Sequence, residues 1–142
     1  MRNDPRRREL AAYPWSHEVA TRFSDMDINR HLNNVAVAQL YEETRVRFNW
    51  ELRGRCPELK PRYLVGRVEI DYLGEGLYPL PVTAAYGVAS VGTSSFRVAM
   101  ALFQRGACIG LCDTVMVHRG EAGPAPVPDA LRAVLGEWAL RP

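Results

Sequence analysis

The chemically densest stretch of the chain is residues 22–45, RFSDMDINRHLNNVAVAQLYEETR. Two carboxylates, Asp25 and Asp27, are followed by His31 and by the pair Asn33 and Asn34. All of them stand just before a segment that reads as a helix. A helix N-terminus carries unpaired N–H groups and the positive end of the helix dipole. A developing oxyanion would be stabilised there without any special side chain. A carboxylate a few residues upstream, with the chain turning back between, would face the same point. A base or nucleophile together with an oxyanion donor is the minimal set for acyl transfer.

The elements that must position these groups follow from periodicity. Residues 34–52 contain no Gly or Pro, and Val37, Leu40, Tyr41, Thr44 and Phe48 form one apolar stripe at helical spacing. The spacing predicts a helix of about five turns. An Asn of the pair is expected to cap its start and Gly54 to mark its end. Residues 17–24 alternate and predict a strand. From Arg62 onward the period is two, predicting strands over 63–73, 81–91, 94–104 and 107–118, with Arg105-Gly106 as a tight hairpin turn. Along 94–104, Phe96, Val98, Met100 and Leu102 share one face, and Arg97, Ala99, Ala101 and Phe103 the other. A terminal helix is expected over 129–140, capped by Asp129. One long helix and five strands point to an α+β fold, a five-stranded antiparallel sheet wrapped around one central helix. Residues 1–16 read as a flexible arm, and 17–142 as a single domain.

The run of residues 22–45 resembles the signature of hot-dog-fold acyl-CoA thioesterases, in the 4-hydroxybenzoyl-CoA thioesterase-like family. The matching residues are Phe23, Asp25-Met26-Asp27, His31-Leu32-Asn33-Asn34 and Glu42-Glu43-Thr44-Arg45, with VGTSSFRV at 91–98 resembling a later strand entry. The similarity covers residues 16–119. It implies a hot-dog fold, Asp27 as the catalytic carboxylate and the backbone N–H of Asn34 as the oxyanion donor. It also implies a homodimer or homotetramer with sites at the subunit interface, and coenzyme A phosphates held on surface basic groups. The resemblance departs at Val37, where members commonly carry an aromatic, so the acyl group does not carry over by analogy.

The other candidates are weighed on their residues. Asp25 reads as a turn-forming, structural carboxylate. His31 is a candidate base beside Asp27, or a loop residue that orders its neighbours, and Asn33 a cap at the substrate site. Arg53, Arg55, Lys60 and Arg62 cluster in sequence, with Arg67 beyond them, and are candidate phosphate ligands. Glu42 and Glu43 are placed to pair with Arg45 and Arg47. Cys108 and Cys112, four apart in an apolar strand, are expected to point the same way as buried free thiols.

Composition excludes several classes. The chain has 142 residues, 47% of them hydrophobic and 24% charged, with a net charge of +2. That balance argues against a nucleic-acid partner. No apolar run approaches the roughly 18 residues that cross a bilayer. The Arg-rich start has no apolar signal-like stretch, so a cytoplasmic protein is expected. No metal-ligand spacing and no phosphate-binding glycine loop occurs, so neither metal nor cofactor is implied. Hydrolysis of an acyl-CoA or acyl carrier protein thioester is the leading expectation. A hot-dog enoyl-CoA hydratase is the first alternative, although no Pro stands between Asp27 and His31. A non-catalytic acyl-CoA-binding module is the second.

Overall fold

The computed structural model describes residues 3–58 and 62–142. The elements run β1 (Trp15–Val19), α1 (Asn34–Arg55), β2 (Tyr63–Tyr72), β3 (Val82–Val91), β4 (Ser95–Gln104), β5 (Ala107–Gly120), the two-residue β6 (Gly123–Pro124) and α2 (Asp129–Glu137). The five main strands form an antiparallel sheet in the order β1-β3-β4-β5-β2, and β6 pairs with the end of β5.

The expected stripe is what α1 buries, with Val37, Leu40, Tyr41, Thr44 and Phe48 joined by Ala36 and Leu52. It lies against Phe96, Val98, Met100 and Leu102, the face of β4 that the alternation selects. Each large apolar side chain fully buried here contributes about 1.5–3 kcal/mol. The Asn33 Oδ1 accepts from the Ala36 N–H at 2.8 Å and starts the helix. The helix runs past Gly54 and ends where the Cys56 N–H reaches the Leu52 carbonyl at 2.9 Å. At the other end of the chain Asp129 is the first residue of α2, after Pro128, rather than its cap. In the β4–β5 turn, Arg105 and Gly106 both have positive φ, 55° and 75°, the pair that a two-residue hairpin of matching twist requires.

The convex face of the sheet is covered by the chain's own ends. Ala12, Tyr13 and Leu140 pack on Ala85, Ala99, Ala101 and Phe103. The small side chains of that face let the ends lie close, and the Arg141 N–H ties them together at the Ala12 carbonyl, 2.8 Å away. A loose arm over 1–16 is therefore not what its described part forms. Arg7 and Tyr13 are buried, and Trp15 and Ser16 belong to β1. The first strand correspondingly sits at 15–19 rather than 17–24, and residues 23–25 make a single 3₁₀ turn.

Cys108 and Cys112 lie on opposite faces, not the same one. Cys108 packs with the outer cluster and Cys112 with the inner core. The cause is a register shift: Leu102 pairs with Gly110 but Phe103 with Cys108, which leaves Ile109 as an extra residue. One inserted residue flips every side chain beyond it. Among the described residues no helix is long and apolar enough to cross a membrane.

Candidate active site

The carboxylates and asparagines of residues 25–34 are brought together by a small hairpin in front of α1. Met26 and Leu32 form an antiparallel bridge, and the Asn33 N–H donates to the Asp25 carbonyl at 2.8 Å. Inside it the Asp27 N–H donates to the His31 carbonyl and the Arg30 N–H to the Asp27 carbonyl, both at 3.0 Å. Arg30 takes a positive φ of 63° to close the turn. Asp27 thus stands beside the turn of the hairpin, whose other strand runs into the helix.

The two aspartates have different surroundings. Asp25 is buried, and its oxygens accept from the Arg22 N–H at 2.8 Å and from the Arg22 guanidinium at 2.8 and 3.2 Å. It is held as a structural carboxylate. Asp27 is exposed, and its Oδ1 accepts from the Asn29 N–H at 2.8 Å. Its Oδ2 has no partner among the described residues. Asn34 is the first residue of the helix, so its N–H has no partner within it. Neither does it meet another group among the described residues.

His31 is close to Asp27 through its backbone, while its ring points elsewhere. Its Nε2 lies 3.0 Å from Glu75 Oε2 in the β2–β3 connection. The candidate base is therefore engaged as a link between two loops. Asn33 caps the helix with its side-chain oxygen, so that oxygen serves the fold.

The basic cluster divides. Arg53 and Arg62 line one groove of about 470 Å³ with Asn49, Tyr63 and Arg119. Arg55 leaves for α2, where it pairs with Glu137 at 3.1 Å and lies over the Trp138 ring. Arg67 pairs with Glu69 at 2.8 Å. Lys60 lies outside the described residues. Arg119 is the member that sequence reasoning missed. It is far from Arg62 along the chain but beside it in space, since the Arg119 N–H donates to the Arg62 carbonyl at 3.0 Å. The pairing of two strands was the signal that could have found it. None of Arg53, Arg62 and Arg119 forms an ion pair among the described residues.

Residues 21–135 match the model of the thioesterase-like superfamily, which spans the hairpin, α1 and the whole sheet but for β1. The chain belongs to that superfamily. Solved structures resemble this thioesterase-like chain over nearly its full length. One, from Bacillus stearothermophilus and described as a predicted thioesterase, is 26% identical, covers 90% of this chain and 98% of its own, and superposes with a TM-score of 0.79. A thioesterase of Thermus thermophilus, solved with coenzyme A and zinc, is 27% identical over 92% of this chain and 98% of its own, with a TM-score of 0.77. A thioesterase-superfamily protein of Jannaschia sp. shares the fold at 22% identity, covering 92% of this chain and 87% of its own with a TM-score of 0.74. No curated protein matches this chain by sequence. The sheet curled on one long helix is the hot-dog fold of these thioesterase-like proteins.

Proposed function

We propose that this member of the thioesterase-like superfamily hydrolyses an acyl-CoA thioester to a free acid and a thiol. One observation carries the reading: Asp27, with one carboxylate oxygen unpartnered among the described residues, stands on the same short hairpin that leads into the start of α1, where the Asn34 N–H likewise has no partner among them. The Asn34 N–H receives the carbonyl oxygen as it becomes an oxyanion. Asp27 supplies the attack on the carbonyl carbon, by taking a proton from water or by attacking directly to form an anhydride that water cleaves once the thiolate has left. The C–S bond then breaks, and the thiolate leaves and takes a proton. A thiol with a pKa of about 8.5 leaves readily, so a strong general acid is not required.

In this reading Arg53, Arg62 and Arg119 hold the phosphates of the coenzyme A, since guanidinium forks suit phosphate oxygens. The Thermus thermophilus relative solved with coenzyme A supports that substrate class. The active unit is a homodimer joined along β2. That strand ends the sheet with an open edge and exposes Leu64, Val65, Val68 and Tyr72. Asp27 is exposed in the single chain, and a second copy excludes water from it.

A panel of acyl-CoA esters of graded length and aromaticity, read by thiol release, tests the proposal. Turnover of at least one ester is expected. Water addition to an enoyl-CoA without thiol release would replace it by the hydratase alternative, and tight binding without turnover by a binding module.

A further inference from the structure

Residues 73–80 of the β2–β3 connection are fixed by buried groups and touch the Asp27 hairpin. The extra residue Ile109 in β5 offers its carbonyl to the N–H groups of both Leu73 and Gly74 at 3.0 Å. Gln104, buried at the end of β4, makes a closed pair with Leu77: its Oε1 accepts the Leu77 N–H and its Nε2 donates to the Leu77 carbonyl, each at 2.8 Å. The same Nε2 reaches the Leu80 carbonyl at 3.1 Å, which the Thr21 hydroxyl also meets at 2.9 Å. A side-chain amide that satisfies three backbone groups of one loop leaves that loop little freedom.

Gly76 is the contact point. Its carbonyl accepts the Leu32 N–H at 2.9 Å. A Cβ there would meet Leu32 Cδ1 at 2.6 Å, Leu32 Cγ at 3.0 Å and Ile109 Cδ1 at 3.3 Å. Leu32 is itself buried and bridged to Met26, the neighbour of Asp27. Next to it Glu75 holds the His31 ring at 3.0 Å, and the His31 carbonyl holds the Asp27 N–H.

We infer that residues 73–80 are a positioning platform for Asp27, with Gly76 and Glu75 as its positioning residues and Leu32 and His31 as the links. They touch no reacting atom. They act by fixing the hairpin that carries Asp27 and leads into α1 at Asn34. The inference rests on the reading of Asp27 as the group that acts on the thioester.

Displacing a reacting group by about 1 Å costs on the order of 10²-fold in rate. Gly76→Ala is therefore expected to lower kcat for thiol release by about 10²-fold, with KM changed less than about twofold and the thermal transition still cooperative. In an Asp27→Asn background the same change is expected to cost less than about threefold, because the group it positions is gone. A folded Gly76→Ala protein with wild-type kcat, or one that loses the same factor in both backgrounds, overturns the platform. If Gly76→Ala does not fold, Glu75→Ala serves, since that side chain is 69% exposed. It should lower kcat by about tenfold and lose this effect in the Asp27→Asn background; a wild-type kcat overturns the proposal. Should Asp27→Asn hydrolyse normally, the Asp27 reading fails by itself. Amide exchange then tests the platform: loss of protection at both Asp27 and Leu32 in Gly76→Ala supports it, and loss at Leu32 alone overturns it.

Discussion

Arg7 Nη1 lies 2.7 Å from Asp113 Oδ1 on the convex face of the sheet, with the two side chains 5% and 14% exposed. The Arg7 Nε donates to the Tyr13 hydroxyl at 3.0 Å, and that hydroxyl donates to the Arg7 carbonyl at 2.8 Å. One arginine thus pins the N-terminal segment across β4 and β5. Removing one partner of a buried pair leaves the other charge unpaired and costs about 3–5 kcal/mol. Asp113 keeps slight access to water, so Arg7→Ala is expected to cost about 3 kcal/mol. The urea midpoint should fall with an unchanged slope. A shift too small to measure would mean that the segment is not part of the cooperative fold.

This pair marks where sequence reading stops. The apolar stripe of α1 and the alternation of β4 are local, so a single element displays them, and both faces of β4 were legible. Arg7 sits among Arg6 and Arg8 in a polar run, and nothing nearby in sequence shows that one of three arginines meets a carboxylate in β5. The basic cluster divides for the same reason. Arg53, Arg55 and Arg62 are neighbours along the chain, but Arg55 turns to Glu137 and Arg119 arrives from another strand. The turn that places Asp27 just ahead of the start of α1 at Asn34 was legible because its residues are neighbours in sequence. Gly76 and Gln104 were not, because their meaning lies in contacts made only after the sheet has formed.

His17 contributes to the pH dependence of stability. Its Nε2 meets the Thr44 hydroxyl at 3.2 Å, and that hydroxyl donates to the Leu40 carbonyl, so Nε2 is the donor to Thr44. Burial lowers the His17 pKa first and the Arg47 charge second, while Glu43 opposes them. A depressed folded-state pKa means that the unfolded chain takes up the proton more readily. This contribution is complete above the unfolded value of about 6.5 and is lost as pH falls through it towards the folded value. Denaturation at pH 8 and at pH 5.5 should show lower stability at the acid end. His17→Gln should reduce that difference; an equal difference in both proteins would acquit His17.

Removal of charge at Arg53, Arg62 and Arg119 should raise KM for coenzyme A esters more than it lowers kcat. Contacts remote from the carbonyl hold ground state and transition state alike. The effect should shrink as salt is added, because the guanidinium groups line an open groove. A charge-reversed variant with the wild-type KM at low salt would move the phosphates elsewhere.

The open edge of β2 should make the protein a dimer at micromolar concentration. Unpaired backbone groups beside Leu64, Val65 and Val68 are a template for another strand, whereas β1, at the other edge, has only five residues. A Val65→Lys and Val68→Lys double variant should shift light scattering towards the monomer and lose activity with it. A wild-type protein that scatters as a monomer would remove the shared-interface site.

Asp27 and Asp25 separate the chemistry from the scaffold. Asp27→Asn keeps the size of the side chain and an oxygen for the Asn29 N–H, and it removes the charge from an exposed position. The fold should survive, while thiol release falls by about 10²–10⁴-fold if the carboxylate acts as a general base. Direct attack by the carboxylate would cost more, since no group of the same kind stands in for a nucleophile. Asp25→Asn should act the other way. It removes a buried charge and turns one of the two acceptor oxygens into a donor, so either the Arg22 guanidinium or the Arg22 N–H loses its partner and the start of the hairpin loosens. The melting temperature should fall, and activity should follow the folded fraction. Each variant takes one thermal melt and one thiol-release assay. An Asp27→Asn protein that folds and hydrolyses at the wild-type rate would take Asp27 out of the mechanism and leave the Asn34 N–H without its partner.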